Sequence, residues 1–532
     1  MAEAAAVQSH PQHQGPAWFG TATRLVAAGI LCAGLAFCAY SLVGDVAKTP
    51  DTAILPFILL GVALLIALGF EFVNGFHDTA NAVATVIYTN SMPAHLAVVW
   101  SGVFNFFGVM VSSGAVAFSV VSLLPVELIL QVGSTAGFAM VFALLIAAII
   151  WNVGTWYFGL PNSSSHALIG SIIGVGVMNQ LMATSPAGTS GVDWGQALGV
   201  GRSLLFSPLA GFILSGLLLL VAKIVLPIPA LYKAPEGHKP PPLWIRGLLV
   251  LTCTGVSFAH GSNDGQKGMG LIMLILIGTV PAAYALNRAL PASEVGTFAA
   301  TSAAASKVVE AHAAGYNIIG DPRPAVTQYV AQHEITGGTY PSLAVLIADI
   351  GDQVKHYGSI AKIPAAAVGN TRNDMYLTSE ALRLLVKDKG AELSASDTAA
   401  LGAYKRSLDD ATKFIPTWVK IAVAIALGLG TMIGWRRIVV TVGEKIGKEH
   451  LTYGQGAAAE LVAMATIGAA DAWGLPVSTT HILSSGVAGT MAANRSGLQW
   501  ATIRNLLLAW VMTLPAAIVL SGALFFLFRH LF

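Results

Sequence analysis

Long apolar segments, separated by short polar interruptions, follow one another along most of this chain. Many have about 20 residues, the length that a helix needs to cross the hydrocarbon core of a bilayer, roughly 30 Å thick. A β-barrel would instead alternate apolar and polar residues in short strands, and this pattern is not seen. The sequence therefore predicts an all-α polytopic membrane protein with about 10–12 transmembrane segments.

Two polar motifs interrupt the apolar segments, and each occurs twice in the same order. The carboxylate motif is Asn74-Gly-Phe-His-Asp-Thr-Ala-Asn81, matched by His260-Gly-Ser-Asn-Asp-Gly-Gln-Lys267. The hydroxyl motif is Gly159-Leu-Pro-Asn-Ser-Ser-Ser-His166, matched by Gly474-Leu-Pro-Val-Ser-Thr-Thr-His481. Duplication of both motifs indicates that the chain is built from two homologous repeats.

The spacing of the motifs indicates how the repeats are organised. Pro161 follows Asp78 by 83 positions, whereas Pro476 follows Asp264 by 212, and the excess is close to the length of a polar segment in the second repeat. That segment is predicted to be an insertion. The predicted units are a polar tail (1–21), an extra N-terminal transmembrane helix rather than a signal peptide (22–44), repeat 1 (52–227), a linker (228–243), the two parts of repeat 2 (244–286 and 414–532) and the hydrophilic insertion (287–413).

Both motifs are expected to interrupt helices within the membrane. A proline beside several hydroxyl residues predicts a broken helix or a re-entrant hairpin, because irregular backbone at membrane depth persists only where it is buried or lines a cavity. Two repeats with discontinuous helices are typical of secondary transporters. The helix N-termini exposed at such breaks bind anions, while carboxylates and freed carbonyls bind cations or protons.

Composition and charge narrow the range of partners. The chain has 532 residues, of which 55% are hydrophobic and 10% charged, with a mean hydropathy of +0.70. A soluble domain has roughly a quarter of its residues charged, so the lipid bilayer is the expected environment. The net charge of +2 gives no indication of a nucleic-acid partner. A short loop crowded with basic residues is predicted to be cytoplasmic; these residues are Arg436, Arg437, Lys445 and Lys448.

The hydroxyl motifs are the candidate anion site. Short hydroxyls at a helix start, together with the N–H groups there, can donate to a tetrahedral oxyanion; the alternative is that they only cap the helices. Amides of the carboxylate motifs are further candidates. The predicted substrate-binding residues are Ser163, Ser164, Ser165, Ser478, Thr479, Thr480, Asn81, Asn263 and Gln266.

The carboxylate motifs are the candidate coupling site, because a bare anion would be repelled by two carboxylates unless a cation or a proton travels with it. An ionisable residue in a membrane segment is a functional candidate; the alternative is that each carboxylate only holds its interruption together. The predicted ion-coupling residues are Asp78, Asp264, His77, His166, His481 and Lys267. Asp78 and Asp264 are also the candidate metal ligands, Lys267 is expected either to pair with a buried carboxylate or to attract the anion, and no cofactor is expected.

Other functions fit the pattern less well. A hydrolase needs one activated nucleophile held by one base, whereas the Ser/Thr, His and Asp residues occur here as two sets without a Gly-x-Ser-x-Gly motif, so an enzyme is not predicted. A channel can contain broken helices, but paired titratable carboxylates favour stoichiometric coupling. Sulfate is also tetrahedral and remains an alternative substrate.

The chain resembles the PiT-type inorganic phosphate transporters, and most of all their bacterial low-affinity, proton-coupled branch. The resemblance covers residues 52–532 and includes both motifs, the segment from Trp151 to Pro161 and Gly430-Thr-Met-Ile-Gly-Trp-Arg-Arg437. It implies phosphate uptake by cation symport across the bacterial inner membrane, with the two repeats inverted relative to each other. In that branch the coupling ion is a proton and the substrate can be a neutral phosphate complex of Mg²⁺ or another divalent cation; a homodimer is one option for the assembly.

The resemblance places Asp78, Asn81, Asn263 and Asp264 at the ion and substrate site, with the hydroxyl motifs binding phosphate. Two positions depart from the family pattern Gly-x-Asn-Asp-x-x-Asn: His77 replaces its first Asn, and Lys267 replaces its last. Both changes weaken a sodium site built from symmetric amides, and Lys267 could neutralise one carboxylate and leave the other to titrate. The hypothesis is therefore proton coupling, with a sodium-coupled phosphate or sulfate symporter as the alternative.

Overall fold

The computed structural model describes residues 21–47, 54–78, 80–183, 191–237, 239–313, 320–388 and 391–531, and the side chains of all of these except 21–27, 54–56, 80 and 81. The secondary structure of these residues is helical, without a β-strand. The predicted all-α fold is confirmed. The predicted polar tail, 1–21, lies almost entirely outside the described residues.

The helices are numbered in chain order and grouped by the predicted division into two repeats with an insertion in the second. The first part contains α1 (Thr21–Val46), α2 (Ile54–Asp78), α3 (Ala80–Tyr88), α4 (Ala94–Val111), α5 (Ala115–Val121), α6 (Val126–Leu130), α7 (Thr135–Tyr157), α8 (Ser164–Leu181) and α9 (Trp194–Val225), followed by a short 3₁₀ helix (Pro229–Tyr232). The second begins with α10 (Leu243–Thr279) and α11 (Pro281–Tyr284). The insertion contains α12 (Glu294–His312), α13 (Arg323–Gln332), α14 (Thr339–Tyr357), a 3₁₀ helix (Ile360–Lys362), α15 (Ala365–Lys387) and α16 (Ala395–Thr412). The chain ends with α17 (Thr417–Met432), α18 (Arg436–Glu444), α19 (Tyr453–Ala472), α20 (Thr479–Ala493) and α21 (Trp500–Leu531).

Seven segments of the described chain are long and apolar enough to cross a membrane, or eight if the bent pair α16 and α17 forms one span. These seven lie in α1, α2 with α3, α4, α7, α9, α10 and α21. The higher predicted count also includes α8, α17, α19 and α20, which belong to the same bundle but are too short or too polar to satisfy the same criterion.

The hydroxyl motifs form the tips of two matched helical hairpins. In α7–α8 the turn passes through Gly159, with a φ of +66°, and in α19–α20 it passes through Gly474, with a φ of +65°. Glycine adopts this left-handed conformation without steric cost. The proline two residues later cannot continue a helix, and a new helix begins after a serine N-cap, Ser163 in one hairpin and Ser478 in the other.

Each hairpin returns to the side from which it enters. At the open end of α7–α8, the amide of Asn179 donates to Oε1 of Glu127 at 2.9 Å, close to where α7 begins. At the open end of α19–α20, the amide of Gln455 lies 3.4 Å from the carbonyl oxygen of Thr490. The predicted hairpins are therefore present, and their tips meet inside the bundle.

The two repeats pack across one another at glycines in equivalent positions. A Cβ on Gly75 of α2 would lie 2.2 Å from the carbonyl oxygen of Leu427 in α17, and one on Gly261 of α10 would lie 2.1 Å from that of Asn105 in α4. Gly75 and Gly261 occupy matching places in the carboxylate motif. Small residues permit this close approach of membrane helices, so α2 packs on α17 in the way that α10 packs on α4.

The helices α4 and α17 run in opposite directions. Near one end, a Cβ on Gly102 would meet the carbonyl oxygen of Gly428, and near the other, Nζ of Lys420 donates to the carbonyl oxygen of Ser112 at 2.7 Å. By contrast, α4 and α10 run in the same direction. Trp100 of α4 is hydrogen-bonded to Thr254 of α10, and Asn105, further along α4, is hydrogen-bonded to His260, further along α10.

The prediction that the second carboxylate motif interrupts its helix is wrong. Residues 260–267 lie inside the continuous helix α10. The motif is rich in glycine and polar residues, which weaken a helix only modestly, and it contains no proline, which would break one. Gly268 also allows Glu71 of α2 to approach, because a Cβ there would lie 2.1 Å from Oε1 of Glu71. In the first copy, α2 (to Asp78) and α3 (from Ala80) are separated by Thr79, which lies outside the described residues, so the interruption expected there stays a prediction.

The insertion forms a helical layer whose buried apolar residues, such as Phe298 and Leu377, belong to the same continuous core as Leu123 and Met273 of the membrane helices. Polar groups also connect the insertion to the membrane helices. Nη2 of Arg383 lies 2.9 Å from Oδ2 of Asp193, the N-cap of α9, and the Asn373 amide donates to the carbonyl oxygen of Leu130.

Candidate functional site

The matched carboxylates of the two carboxylate motifs approach the same nitrogen of one imidazole. Nε2 of His260 is 3.3 Å from Oδ2 of Asp264 and 3.9 Å from Oδ2 of Asp78. Nδ1 of the same ring lies 2.8 Å from Oδ1 of Asn105, which fixes the ring orientation. All four side chains are buried, where charges interact more strongly than in water. Both repeats thus contribute to a single site.

Lys267 of α10 places its amino group at this site. Its Nζ lies 2.5 Å from Oδ1 of Asp264 and 3.3 Å from the carbonyl oxygen of Val477, and it also donates to the hydroxyl of Ser165. Asp264 and Lys267 are three positions apart, so they face each other on one side of the helix. Of the two roles expected for Lys267, pairing with a buried carboxylate is the one observed.

Asp78 has a different environment. Its Oδ1 accepts a hydrogen bond from the hydroxyl of Thr480 and lies 3.4 Å from Nδ1 of His77. The other ring nitrogen of His77 is 3.2 Å from Oγ1 of Thr155 on α7. Among the described residues, no lysine or arginine forms an ion pair with Asp78. The two carboxylates therefore differ, since among the described residues only Asp264 has a lysine partner.

The hairpin tips join the two repeats beside these carboxylates. The hydroxyl of Ser165 on α8 donates to the carbonyl oxygen of Val477 at 2.8 Å. From the opposite tip, Oγ1 of Thr479 lies 3.4 Å from Oδ2 of Asp264. The predicted hydroxyl and carboxylate residues are thus brought together.

Two of the predicted substrate-binding hydroxyls cap helices. The hydroxyl of Ser163 accepts from the N–H of His166 at 3.2 Å, and that of Ser478 accepts from the N–H of His481 at 3.1 Å. This is the capping role that the sequence left open for these residues. The other N–H groups of each first turn have no partner within their own helix. The starts of α8 and α20 therefore present backbone donors at the meeting point of the tips.

Several buried polar atoms at the tips have no hydrogen-bond partner among the described residues. They are Oγ of Ser164, Nδ1 of His166, Nε2 of His481, Nδ2 of Asn162 and Oδ1 of Asn263. The rings of His166 and His481 lie 4.6 Å apart, and His481 stacks on Trp510 at 4.0 Å. Buried polar groups without a protein partner are rare, so this cluster indicates a place where a polar ligand can bind.

Two of the predicted substrate-binding amides, Gln266 and Asn263, form hydrogen bonds with other protein groups. Gln266 donates to Oδ1 of Asp471 at 2.5 Å and accepts from the N–H of Val116 at 2.9 Å. Asn263 donates to the carbonyl oxygen of Leu475 at 3.2 Å, which leaves its Oδ1 available. The side chain of Asn81 lies outside the described residues.

His260 at the site, and Glu460 elsewhere in the bundle, are buried ionisable residues to which the sequence analysis assigned no role. His260 opens the second carboxylate motif, where the first motif has Asn74, so the comparison of the repeats did not single it out. Glu460 of α19 accepts hydrogen bonds from the hydroxyls of Thr85 and Thr252. A carboxylate within a membrane segment is itself a functional signal, and that rule could have identified Glu460.

One group of side chains at the site has the composition of a metal site. Ligand atoms of Asp78, His260 and Asp264 all lie within 4.8 Å of one another. Carboxylate oxygens and an imidazole nitrogen suit a divalent cation. The predicted pair of metal ligands is thus joined by a third candidate, although Lys267 already neutralises one of the carboxylates.

A bundle of apolar helices with two matched hairpins around buried ionisable groups is typical of a secondary membrane transporter. The profile of the phosphate transporter family matches residues 74–521. Because this match extends over most of the sequence, the chain belongs to the phosphate transporter family.

Several curated relatives are similar along most of their length. The low-affinity inorganic phosphate transporter PitA of Escherichia coli (strain K12) is 43% identical over 491 residues, covering 88% of this chain and 96% of the relative. PitB of the same strain is 41% identical over 507 residues, with the same coverage. A probable low-affinity inorganic phosphate transporter of Bacillus subtilis (strain 168) is 28% identical over 479 residues, covering 89% of this chain and 99% of the relative.

A solved structure described as the sodium-dependent phosphate transporter is also similar, with a TM-score of 0.48 and 16% identity. The similarity covers 89% of this chain and 100% of that chain.

Proposed function

We propose that this chain imports inorganic phosphate across the bacterial inner membrane by proton symport. One observation carries the choice of a proton over sodium. The ammonium group of Lys267 is surrounded by a carboxylate of Asp264, a hydroxyl and the carbonyl oxygen of Val477. These oxygen types would also coordinate a sodium ion, so the chain already holds a cation of its own at this place.

Asp78 is the proposed proton carrier. It has no lysine or arginine partner among the described residues, and its neighbours His77 and Thr480 can donate to its ionised form. A proton on Asp78 would remove the negative charge that opposes an oxyanion at the neighbouring tips. Proton binding and phosphate binding would therefore favour each other, which is the requirement for symport.

The hairpin tips are the proposed phosphate site. The starts of α8 and α20 direct backbone N–H groups toward their meeting point, and helix N-termini attract anions. The unpartnered atoms of Ser164, His166 and His481 add side-chain groups that can bond to phosphate oxygens. Ser165 and Thr480 would act indirectly, since they connect the tips to Lys267 and Asp78.

The substrate is also proposed to include a phosphate complexed with a divalent cation such as Mg²⁺. Asp78, His260 and Asp264 lie close enough to contact the metal of such a complex. The metal would then travel as cargo with the phosphate, and its charge would offset the charge of the anion.

Alternating access is proposed to arise from two inverted repeats. The antiparallel course of α4 and α17, which occupy corresponding places against the other repeat, supports this relation. Movement of one hairpin relative to the other would open the site to one side at a time. A homodimer is retained as the proposed assembly.

The test is uptake of labelled phosphate into proteoliposomes under either an inward proton gradient or an inward sodium gradient, with and without Mg²⁺. We expect uptake to follow the proton gradient and to increase with Mg²⁺. The variant Asp78→Asn imitates the protonated state, so it should lose gradient-driven uptake yet retain phosphate exchange. Asp410→Asn, at an exposed position of α16, is the matched control and should behave as the native chain.

Uptake that requires sodium and ignores pH would overturn proton coupling but leave phosphate as the substrate. Phosphate exchange lost together with driven uptake in Asp78→Asn would place Asp78 in substrate binding instead of coupling. Failure of phosphate to enter under any gradient, with sulfate entering instead, would favour the sulfate alternative.

A further inference from the structure

A cavity of about 670 Å³ opens beside the tip of the first hairpin, away from the paired carboxylates. The residues that matter for its chemistry are Trp156, Tyr157, Phe158, Arg436, Arg437 and Lys445. We call it the basic pocket. It includes the end of the sequence segment Gly430–Arg437, to which the transport site assigns no role.

Three cationic side chains line the basic pocket, and the acid nearest to them in the sequence is Glu444, beside Lys445 in α18. Arg436, Arg437 and Lys445 line it, and none of its lining residues is aspartate or glutamate. In the described part of the chain, none of these three cations forms an ion pair with a carboxylate. All three side chains are exposed. An anionic partner is the natural complement of such a pocket.

One of the three cations is held in place by aromatic rings. The guanidinium carbon of Arg437 lies 5.0 Å from the ring centres of both Trp156 and Tyr157, and Arg437 also donates to the carbonyl oxygen of Tyr157. This packing fixes the position of the guanidinium. Arg436 and Lys445 remain free to bind.

The other walls of the pocket are apolar and face outward. Phe158, in the lining, is 75% exposed, and Ile433, which directly precedes the lining residue Gly434 in the sequence, is 54% exposed. Helix α18 buries Ile438 and Val439 while Arg436 faces out, as expected of a helix that lies along a membrane surface. A free inorganic anion would gain little from the apolar surface, whereas a lipid would use both the charge and the apolar groups.

We propose that the basic pocket binds the phosphate headgroup of an anionic phospholipid. Arg436 and Lys445 would bind the headgroup, and the acyl chains would lie along Phe158 and Ile433. Trp and Tyr residues favour the same interfacial level, and basic pockets between membrane helices accommodate anionic headgroups. The cytoplasmic side predicted for these basic residues is where anionic lipids attract such clusters.

The bound lipid would touch the transport machinery through the backbone of the hairpin. The hydroxyl of Thr441, at the pocket wall, donates to the carbonyl oxygen of Gly159 at 2.9 Å. Gly159 is the left-handed turn residue of the tip that carries Ser163. Occupation of the basic pocket would thus stabilise the turn from which the first hairpin presents its hydroxyls.

Native mass spectrometry of the full chain in detergent can test the proposal, with phosphatidylglycerol, phosphatidylcholine and inorganic phosphate as probes. We expect saturable binding of phosphatidylglycerol and none of phosphatidylcholine. Each removed cation should weaken binding about fivefold, so Arg436→Gln with Lys445→Gln should weaken it about 25-fold. Lys307→Gln, at an exposed position of the insertion, is the control and should bind as the native chain.

Three results would overturn the proposal: equal binding of both lipids, undiminished binding by the double variant, or displacement of phosphatidylglycerol by millimolar phosphate. The last would assign the pocket to free phosphate. If the double variant unfolds, each single variant is titrated separately, because either one alone should still show the fivefold loss.

Discussion

Lys267 and Asp264 face each other across one turn of α10, with Nζ of the lysine 2.5 Å from Oδ1 of the aspartate. Replacement of Lys267 by methionine would leave Asp264 buried without its counter-charge, which is strongly unfavourable. We expect proton-driven phosphate uptake to fall at least about tenfold. Proteoliposome uptake measured at matched protein density would check this loss.

A second substitution distinguishes charge from packing at this position. Lys267→Asn introduces the residue found at the matching place of the first motif, Asn81. It opens space for a cation beside Asp264, so uptake should become stimulated by sodium. If uptake by this variant were the same with sodium as with choline, the ammonium would not be occupying a cation site.

The hydroxyl of Thr480 connects the second hairpin to Asp78, and its removal should impair transport. A hydrogen bond to a charged group contributes about 1.5–3 kcal/mol, so Thr480→Val should reduce uptake about tenfold or more. Thr490→Val is the matched control, because that buried hydroxyl donates only to the carbonyl oxygen of Val487 in the same helix. Similar losses in both variants would indicate damage to α20 instead of to the coupling site.

Contact between the repeats at Gly261 should be intolerant of a methyl group. A Cβ there would lie 2.1 Å from the carbonyl oxygen of Asn105, whereas one at Gly247, in the same helix, would meet nothing within 4 Å. Gly261→Ala should therefore lower the stability by about 1–3 kcal/mol. Gly247→Ala should be neutral or slightly stabilising. Thermal unfolding in detergent would compare them, and equal melting temperatures would contradict the close approach.

Two arginines of the insertion should respond oppositely to replacement by methionine. Arg323 binds both carboxylate oxygens of Asp374, at 2.7 and 2.8 Å, so Arg323→Met should lower stability by about 1.5–3 kcal/mol. Arg372 is buried without a carboxylate partner in the described chain, and burial lowers the pKa of its guanidinium. Arg372→Met should raise stability by about 1 kcal/mol.

Limited proteolysis of the insertion during heating would measure both effects. Loss of stability in Arg372→Met would mean that the contacts of the guanidinium with the ring of Tyr376, at 4.8 Å, and with Asn373 outweigh the cost of its burial, and the contrast with Arg323 would then fail.

The hairpins were predictable because their signals are local. Gly159 predicts a left-handed turn, Pro161 the end of a helix, and the serines after it a new N-cap, all within a few residues. The same order of residues at Gly474 predicts a second hairpin of the same form. Duplication added the expectation that the two tips belong to one site. In the structure, the hydrogen bond from the hydroxyl of Ser165 to the carbonyl oxygen of Val477 joins the two tips.

The course of α10 and the contacts of Gln266 could not be derived in the same way. Glycine and polar residues in a membrane segment suggest a break when only propensity is considered, but close packing against Asn105 and Glu71 overrides a modest propensity. Gln266 binds Asp471, which is distant in sequence and outside both motifs. His260 was obscured because its counterpart, Asn74, has different chemistry.

The crossed packing of the repeats has a consequence for biosynthesis. Gly174 of α8 packs against the backbone of Ile518 in α21, at the far end of the chain. During translation, α8 therefore enters the membrane long before α21 is synthesised, and it lacks this packing partner until then. A ribosome stalled after the insertion would leave the glycine surface of α8 open to lipid and to quality-control proteases, so a C-terminal truncation should shorten the lifetime of the first repeat as well as remove part of the second.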